Sequence, residues 1–231
     1  MPRIKFRFNA RIATSAAIAA MSLLAASAAA SASTLYTFSS GQPTAIYTNL
    51  TYNIGNEITV GASPLSVTAI GAFVNNALTG NQAYVTSGVT NVAFTGYIYS
   101  TTSATPLDTV TIPIGTTVDS QGFAYAPLTA TLNANTSYII SEAMTGTGTY
   151  GTPFAYNSNG SAAGTFSGAA FVENRYATTT SGDPTLNNGV FKEFMGANLQ
   201  YVAAPEPASL ALFSGGAIGL LLLRRGRHRV L

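Results

Sequence analysis

Cysteine and tryptophan are absent from this 231-residue chain, and histidine occurs once. Without cysteine there is no disulfide framework, no cysteine-ligated zinc or iron–sulfur cluster and no cysteine nucleophile. The single histidine, His228, lies in a basic C-terminal tail. A Ser-His-Asp triad needs a histidine inside the fold, and a three-histidine zinc site needs two more histidines. These absences exclude the commonest nucleophilic and metal chemistries.

Charge is scarce, and it is unevenly distributed along the chain. Only 8% of the residues are charged, against roughly a quarter in ordinary globular proteins. Eight of the ten basic residues lie in residues 1–33 or 205–231. Residues 34–204 hold Arg175 and Lys192 against seven acidic residues, and two minus seven leaves a net charge of −5. The positive charge belongs to the two ends, which argues against nucleic-acid binding.

The N-terminal end has the three parts of a secretory signal peptide. Four basic residues come first, an apolar stretch over 12–26 follows, and small residues including Ala28, Ala30 and Ala32 come next. The apolar stretch is shorter than the ~20 residues that a membrane span prefers. The small residues match the A-x-A pattern of signal-peptidase substrates. Residues 1–32 are therefore predicted to direct export through the secretion machinery and to be removed by signal peptidase.

The C-terminal end also has three parts. Pro205, Glu206 and Pro207 come first, and an uncharged apolar stretch over 208–223 follows. A helix of that length spans ~24 Å, close to a thin hydrocarbon core. The stretch ends in four arginines that would remain cytoplasmic by the positive-inside rule: Arg224, Arg225, Arg227 and Arg229. The pattern predicts a transmembrane helix that stops transfer of the chain.

The motif, the apolar stretch and the arginines over 205–231 closely resemble the PEP-CTERM sorting signal of Gram-negative bacteria. The resemblance implies an exosortase-type membrane protease as partner and transient anchoring in the inner membrane. It then implies release to the cell surface or an extracellular biofilm matrix rich in exopolysaccharide. An ordinary single-span tail anchor is the alternative. The signal follows many unrelated domains, so it does not identify residues 33–204.

The middle of the chain, residues 33–204, reads as one all-β domain. It is rich in Thr, Ser, Gly and Asn, and no stretch keeps a helical apolar period over three turns. Short apolar or alternating runs separated by turn residues predict a single antiparallel β-sandwich, jelly-roll-like, with long loops over 76–91 and 146–168. The predicted strands are 35–38, 45–52, 57–60, 66–74, 92–99, 107–112, 122–125, 128–132, 136–143, 152–156, 169–176, 190–195 and 198–202.

Several strings in this domain resemble exported β-sandwich domains that precede PEP-CTERM tails. They are Ile58-Thr59-Val60 with the run 65–73, the run 122–128 with 132–140, and the ending 195–201. The resemblance implies a jelly-roll-like fold and carries no activity.

Catalysis is not expected, because none of the seven acidic residues is marked as a tuned acid–base pair. No cofactor is expected either, although a structural calcium ion is possible. Asp119, Glu173 and Asp183 lie near predicted loops, and carboxylates in loops are calcium ligands in exported domains. The chain has no dedicated calcium-loop motif.

Carbohydrate binding is the main functional alternative to a non-catalytic surface or matrix protein. The chain has twelve tyrosines, and Tyr97 and Tyr99 share one face of the best-alternating strand. Aromatic rings can stack on sugars, whereas the ordinary role of a tyrosine on a sheet is amphipathic packing with its hydroxyl reaching water. Tyr97 and Tyr99 are therefore the candidate sugar contacts.

Overall fold

In a computed structural model of the protein, the described residues are 32–39, 45–47, 52–74, 84–145, 154–156, 164–180, 182–187 and 196–203. They all belong to one compact unit, Ala32–Leu231. Their only regular elements are β-strands, and none of these residues forms a helix that could cross a membrane. The predicted signal peptide, the sorting motif, the apolar segment, the basic tail and the predicted strand 190–195 lie outside the described residues.

Sixteen strands are described. They are β1 Ser33–Thr34, β2 Tyr36–Phe38, β3 Ala45–Tyr47, β4 Asn53–Val60, β5 Leu65–Phe73, β6 Val85–Thr86, β7 Val89–Thr90, β8 Ala93–Ser100, β9 Asp108–Ile112, β10 Phe123–Leu132, β11 Ser137–Thr145, β12 Phe154–Tyr156, β13 Gly164–Phe166, β14 Ala169–Ala177, β15 Leu186–Asn187 and β16 Asn198–Ala203. The all-β class predicted from composition and alternation is confirmed for this part of the chain.

The long strands form two antiparallel sheets. The six-stranded sheet has the order β15-β14-β4-β11-β8-β9, and the four-stranded sheet has the order β1-β16-β5-β10. Three smaller sheets pair β2 with β13, β3 with β12 and β6 with β7. Every strand pairing among the described residues is antiparallel. The arrangement is consistent with the predicted β-sandwich.

The largest apolar core lies between the two main sheets. It combines side chains of the six-stranded sheet with side chains of the four-stranded sheet, among them Ile58, Ile98, Ile140, Val67, Ile70 and Leu199. Full burial of such a side chain contributes about 1.5–3 kcal/mol. At Gly96 a Cβ atom would lie 2.9 Å from the Ile70 side chain. The absence of a side chain at this position therefore lets the two sheets approach each other closely.

The strand pairs nest inside one another along the sequence. From the outside inward, β1 pairs with β16, β2 with β13, β3 with β12, β4 with β11, β5 with β10 and β8 with β9. The local hairpin β6–β7 lies between β5 and β8 in the sequence. Such nesting arises when one long antiparallel ribbon folds over on itself. One consequence is that the first and last described strands are hydrogen-bonded neighbours.

Two of the sequence predictions need correction. The predicted strands 122–125 and 128–132 form one strand, β10, with a register shift between Pro127 and Ala130. Pro127 is tolerated because β10 lies at a sheet edge, where a missing N–H breaks no ladder bond. The predicted strand 152–156 is present as β12, whereas the regions predicted as loops, 76–91 and 146–168, also contain β6, β7 and β13. These strands have two or three residues each, too few to show alternation.

Candidate functional site

The six-stranded sheet has an inner face in the core and an outer face on its other side. Alternation places Phe94 and Ile98 of β8 on the inner face, where both are buried. It places Tyr97 and Tyr99 on the outer face, beside Ser141 of the neighbouring strand β11. The predicted sugar contacts therefore share this outer face, which is the candidate functional site.

A short segment crosses the outer face between β14 and the sheet-edge strand β15. We call its described residues, 178–180 and 182–185, the strap. The backbone N–H of Asn53 donates to the Thr179 carbonyl oxygen at 3.2 Å, and Asn53 Nδ2 donates to the Gly182 carbonyl oxygen at 2.8 Å. The Tyr97 hydroxyl donates to the Thr180 carbonyl oxygen at 3.3 Å. The strap is thus attached to the sheet through its own backbone carbonyl groups.

The two tyrosines of the outer face differ in exposure. Their ring centroids lie 5.7 Å apart, and the rings are tilted by 30°. Tyr99 is only 1% exposed, and its hydroxyl accepts a hydrogen bond from Asn53 Nδ2 at 3.3 Å. Burial, with the nearby Tyr97 and Asp183, raises the pKa of Tyr99 to about 12. Tyr97 is half-buried, so it is the member of the pair that a ligand could contact.

Arg175 connects three parts of the outer face. Its Nη2 lies 2.6 Å from Glu57 Oε2 and 2.5 Å from Glu173 Oε1. Its Nη1 donates to the strap at the Thr185 carbonyl oxygen, at 3.0 Å. Glu57 and Glu173 lie opposite each other in the β4–β14 pairing, so without the guanidinium two like charges would face each other. Arg175 is the only basic residue in the described part of the chain.

Three oxygen atoms of the outer face are buried without a hydrogen-bond partner. They are Asn53 Oδ1, Ser141 Oγ and Asp183 Oδ1. Ser141 pairs with Gly55, which lies two residues after Asn53 on β4. Asp183 follows Gly182, whose carbonyl oxygen accepts a hydrogen bond from Asn53 Nδ2. Burial raises the pKa of Asp183, and the nearby Arg175 opposes that shift. Buried polar atoms without a protein partner are commonly hydrogen-bonded to ordered water.

The three calcium candidates do not come together. Glu173 is held by Arg175 and Asp183 lies on the strap, whereas Asp119 lies in the loop between β9 and β10. Asp119 Oδ1 accepts from the backbone N–H groups of Gln121 and Phe123, both at 2.9 Å. These bonds close a turn, and burial raises the pKa of the Asp119 carboxyl. No group of three His, Asp or Glu side chains in the described ranges is arranged to hold a metal ion.

The most perturbed carboxyl group was not singled out by the sequence. Glu142 of β11 lies on the inner face and is 0% exposed. Its Oε2 accepts from the backbone N–H of Phe73 at 2.7 Å, whereas its Oε1 has no hydrogen-bond partner. Burial raises the pKa of Glu142 well above its ordinary value. Tyr138, Ile140 and Met144 share its face of the strand, and this apolar alternation is the feature of the sequence that indicates burial of Glu142.

Comparisons with known proteins give little similarity. No family model and no curated protein matches the chain. Among solved structures, the VP2 protein of infectious bursal disease virus in derived T=1 particles aligns with 13% identity and a TM-score of 0.22. The subviral particle of the same protein gives 13% and 0.21. Each alignment covers 85% of this chain, which spans about half the length of the viral chains. TM-scores this low carry no argument.

Proposed function

We propose that the protein is a non-catalytic component of the cell surface or of an extracellular polysaccharide matrix. In this proposal the chain is exported, and residues 1–32 are removed. The apolar segment 208–223 then holds the domain at the inner membrane until an exosortase-type protease acts near Pro205, Glu206 and Pro207. The tripartite C-terminal sequence carries the sorting part of the proposal.

We further propose that the domain has a jelly-roll-like topology. The supporting observation is the nested order of the strand pairs, since a jelly roll is an antiparallel ribbon wrapped into two sheets. Folds of this kind serve as structural and as ligand-binding domains. The topology therefore does not distinguish a structural from a ligand-binding function, and the distinction has to come from the chemistry of the side chains.

The environment of the carboxyl groups supports a non-catalytic role. A catalytic acid needs a raised pKa and access to substrate. Glu142 has the raised pKa but is sealed in the core, where it receives the Phe73 N–H. Glu57 and Glu173 are both ion-paired with the single guanidinium of Arg175. The remaining described acids with raised pKa values, Asp119 and Asp183, belong to a turn and to the strap.

Intact mass spectrometry tests the sorting proposal. The protein is expressed in a host that carries an exosortase and in the same host without it, and envelope and medium fractions are compared. The expected mature form begins near Ser33 and ends near Pro205 only when the protease is present. A variant with Glu206→Ala and Pro207→Ala is the matched control and is expected to stay membrane-bound. A mature protein that retains residues 208–223 in the presence of exosortase would support an ordinary tail anchor instead.

The second candidate function is carbohydrate binding at the outer face. The half-buried ring of Tyr97, supported from beside by Tyr99, is the observation that favours it. A glycan array with the exported domain tests this function. Selective binding that is lost in Tyr97→Ala but kept in Tyr97→Phe would indicate stacking on the ring. Equal binding by all three proteins, or none, would count against a sugar site at this position.

A further inference from the structure

The two ends of the domain leave the fold at one place. Ser33 pairs with Tyr201 and Thr34 with Gln200, and the two strands run antiparallel. The start of β1 therefore lies beside the end of β16. Ala203, the last residue of β16, pairs with Leu65 at the start of β5. Both ends thus leave at the edge of the fold where β4 passes into β5.

Four short connections form this edge, which we call the terminal end. They are residues 61–64, 101–107, 133–136 and 167–168. The Gly61 N–H donates to the Gly168 carbonyl oxygen, and the Asn135 N–H donates to the Gly61 carbonyl oxygen, both at 3.0 Å. Ser100, which precedes the second connection, pairs with Tyr138 just after the third. The four connections are therefore neighbours in space.

The terminal end is uncharged. Its four connections have the sequences GASP, TTSATPL, NANT and SG, which contain no acidic or basic residue. Leu107, at the end of the second connection, is 59% exposed. The nearest acid in the sequence is Asp108, the first residue of β9. At the opposite end, the connection between β9 and β10 contains Asp119. In a domain with excess negative charge, the terminal end is the one that an anionic lipid surface repels least.

The length of the chain beyond β16 limits how far the domain can be from a membrane. Four residues lie between Ala203 and Ala208, where the apolar segment begins, so five Cα–Cα steps join the two. A fully extended chain of that length spans at most ~18 Å. The headgroup layer occupies roughly 5–8 Å of this distance. Pro205 lies two residues beyond Ala203, or at most ~7 Å.

We propose that the anchored precursor is seated on the membrane surface by its terminal end, with lipid headgroups facing residues 61–64, 101–107 and 133–136. This inference rests on the anchoring part of the proposed function. The orientation follows because β1 begins and β16 ends on this side, and because the tether after Ala203 is short. The proposed sorting protease would then meet its motif in the narrow space between the folded domain and the bilayer.

The absence of cysteine permits a direct test with single labels. Ala104→Cys places a label on the terminal end, and Ser120→Cys places one at the opposite end, where both positions are exposed. The full chain is purified in detergent from a host without exosortase and labelled with an environment-sensitive fluorophore. It is then reconstituted into vesicles of phosphatidylcholine and phosphatidylglycerol with spin-labelled headgroups. Quenching at position 104 is expected to exceed quenching at position 120 several-fold.

A linker variant is the matched control for orientation. Twenty Gly-Ser residues inserted between Ala203 and Pro205 add about 25 Å of root-mean-square reach. The insertion is expected to abolish the difference between the two labels without changing flotation. Equal quenching at the two positions in the floated original chain would overturn the proposed orientation and leave anchoring intact. A chain that does not float with vesicles would refute anchoring, and the orientation with it.

Discussion

The inner and outer faces of the six-stranded sheet are both largely buried, but different interactions bury them. On the inner face, Ile58, Ile98 and Ile140 pack against the four-stranded sheet. On the outer face, Asn53 and Tyr97 bond to the backbone of the strap, and Arg175 holds two carboxylates and a strap carbonyl. The inner face is stabilised mainly by apolar area, with the Glu142–Phe73 and Asn174–Asn56 hydrogen bonds as polar exceptions, and the outer face is stabilised by directional bonds.

The difference determines which changes each face can accommodate. Apolar contacts have little directionality, so flexible side chains can shift to fill or yield space. Hydrogen bonds weaken steeply with distance and angle, and a buried group that loses its partner is costly. We therefore expect the inner face to tolerate a small added volume better than the outer face.

The largest expected effect compares one glycine of each face. A Cβ at Gly55, on the outer face, would lie 2.6 Å from the Ser141 Cα, a backbone atom that cannot rotate away. At Gly96, on the inner face, the atoms met are those of the Ile70 side chain at 2.9 Å. Gly96→Ala is expected to cost about 1–3 kcal/mol, and Gly55→Ala more than about 3 kcal/mol. Urea unfolding followed by circular dichroism measures both. A larger loss at Gly96 would reverse the comparison.

The next effect concerns the ion pairs of the outer face. Arg175→Met removes the guanidinium between Glu57 and Glu173 and is expected to lower the free energy of unfolding by about 1–3 kcal/mol. Adding Glu173→Gln removes one of the facing charges and should restore part of the loss. The loss should also shrink in 1 M salt, because salt screens the repulsion. An equal loss in the single and the double variant would show that repulsion between Glu57 and Glu173 does not cause the destabilisation.

On the inner face, the fully buried carboxyl group of Glu142 makes stability depend on pH. The pKa of Glu142 is well above 4.5 in the folded protein because of burial, whereas the unfolded chain releases the proton near 4.5. The contribution of Glu142 to the free energy of unfolding is therefore fully present below pH 4.5. It falls as the pH rises from 4.5 through the pKa of the folded state. The slope is at most about 1.4 kcal/mol per pH unit.

Glu142→Gln isolates this contribution, because glutamine keeps an acceptor for the Phe73 N–H and does not ionise. Unfolding free energies of both proteins from pH 5 to pH 8 are expected to show a smaller downward slope in the variant. Asp119 and Asp183, whose pKa values are also raised by burial, are unchanged in it. Parallel curves for the two proteins would mean that Glu142 releases its proton as readily as in the unfolded chain.

Alternation in the sequence is enough to predict the class of the fold and the two faces of β8. Val92–Tyr99 alternation could be read because successive side chains of a strand point to opposite faces. The strap could not be predicted, because it is held by backbone carbonyls of Thr180 and Gly182, which every residue type carries. Asn53 and Ser141 were missed for a similar reason. Their roles depend on partners distant in sequence and not on residue spacing.

The smallest expected effect separates the two tyrosines of the outer face. Tyr99→Phe removes the hydroxyl that accepts from Asn53 in a buried setting, and we expect a loss of about 0.5–1.5 kcal/mol. Tyr97→Phe removes a bond to the half-buried Thr180 carbonyl, where water can replace the hydroxyl, so we expect a loss below about 0.5 kcal/mol. Urea unfolding of both variants measures the difference. A larger loss in Tyr97→Phe would mean that the Tyr97–Thr180 hydrogen bond contributes more than the buried Asn53–Tyr99 bond. The outer face would then be stabilised mainly from its solvent side.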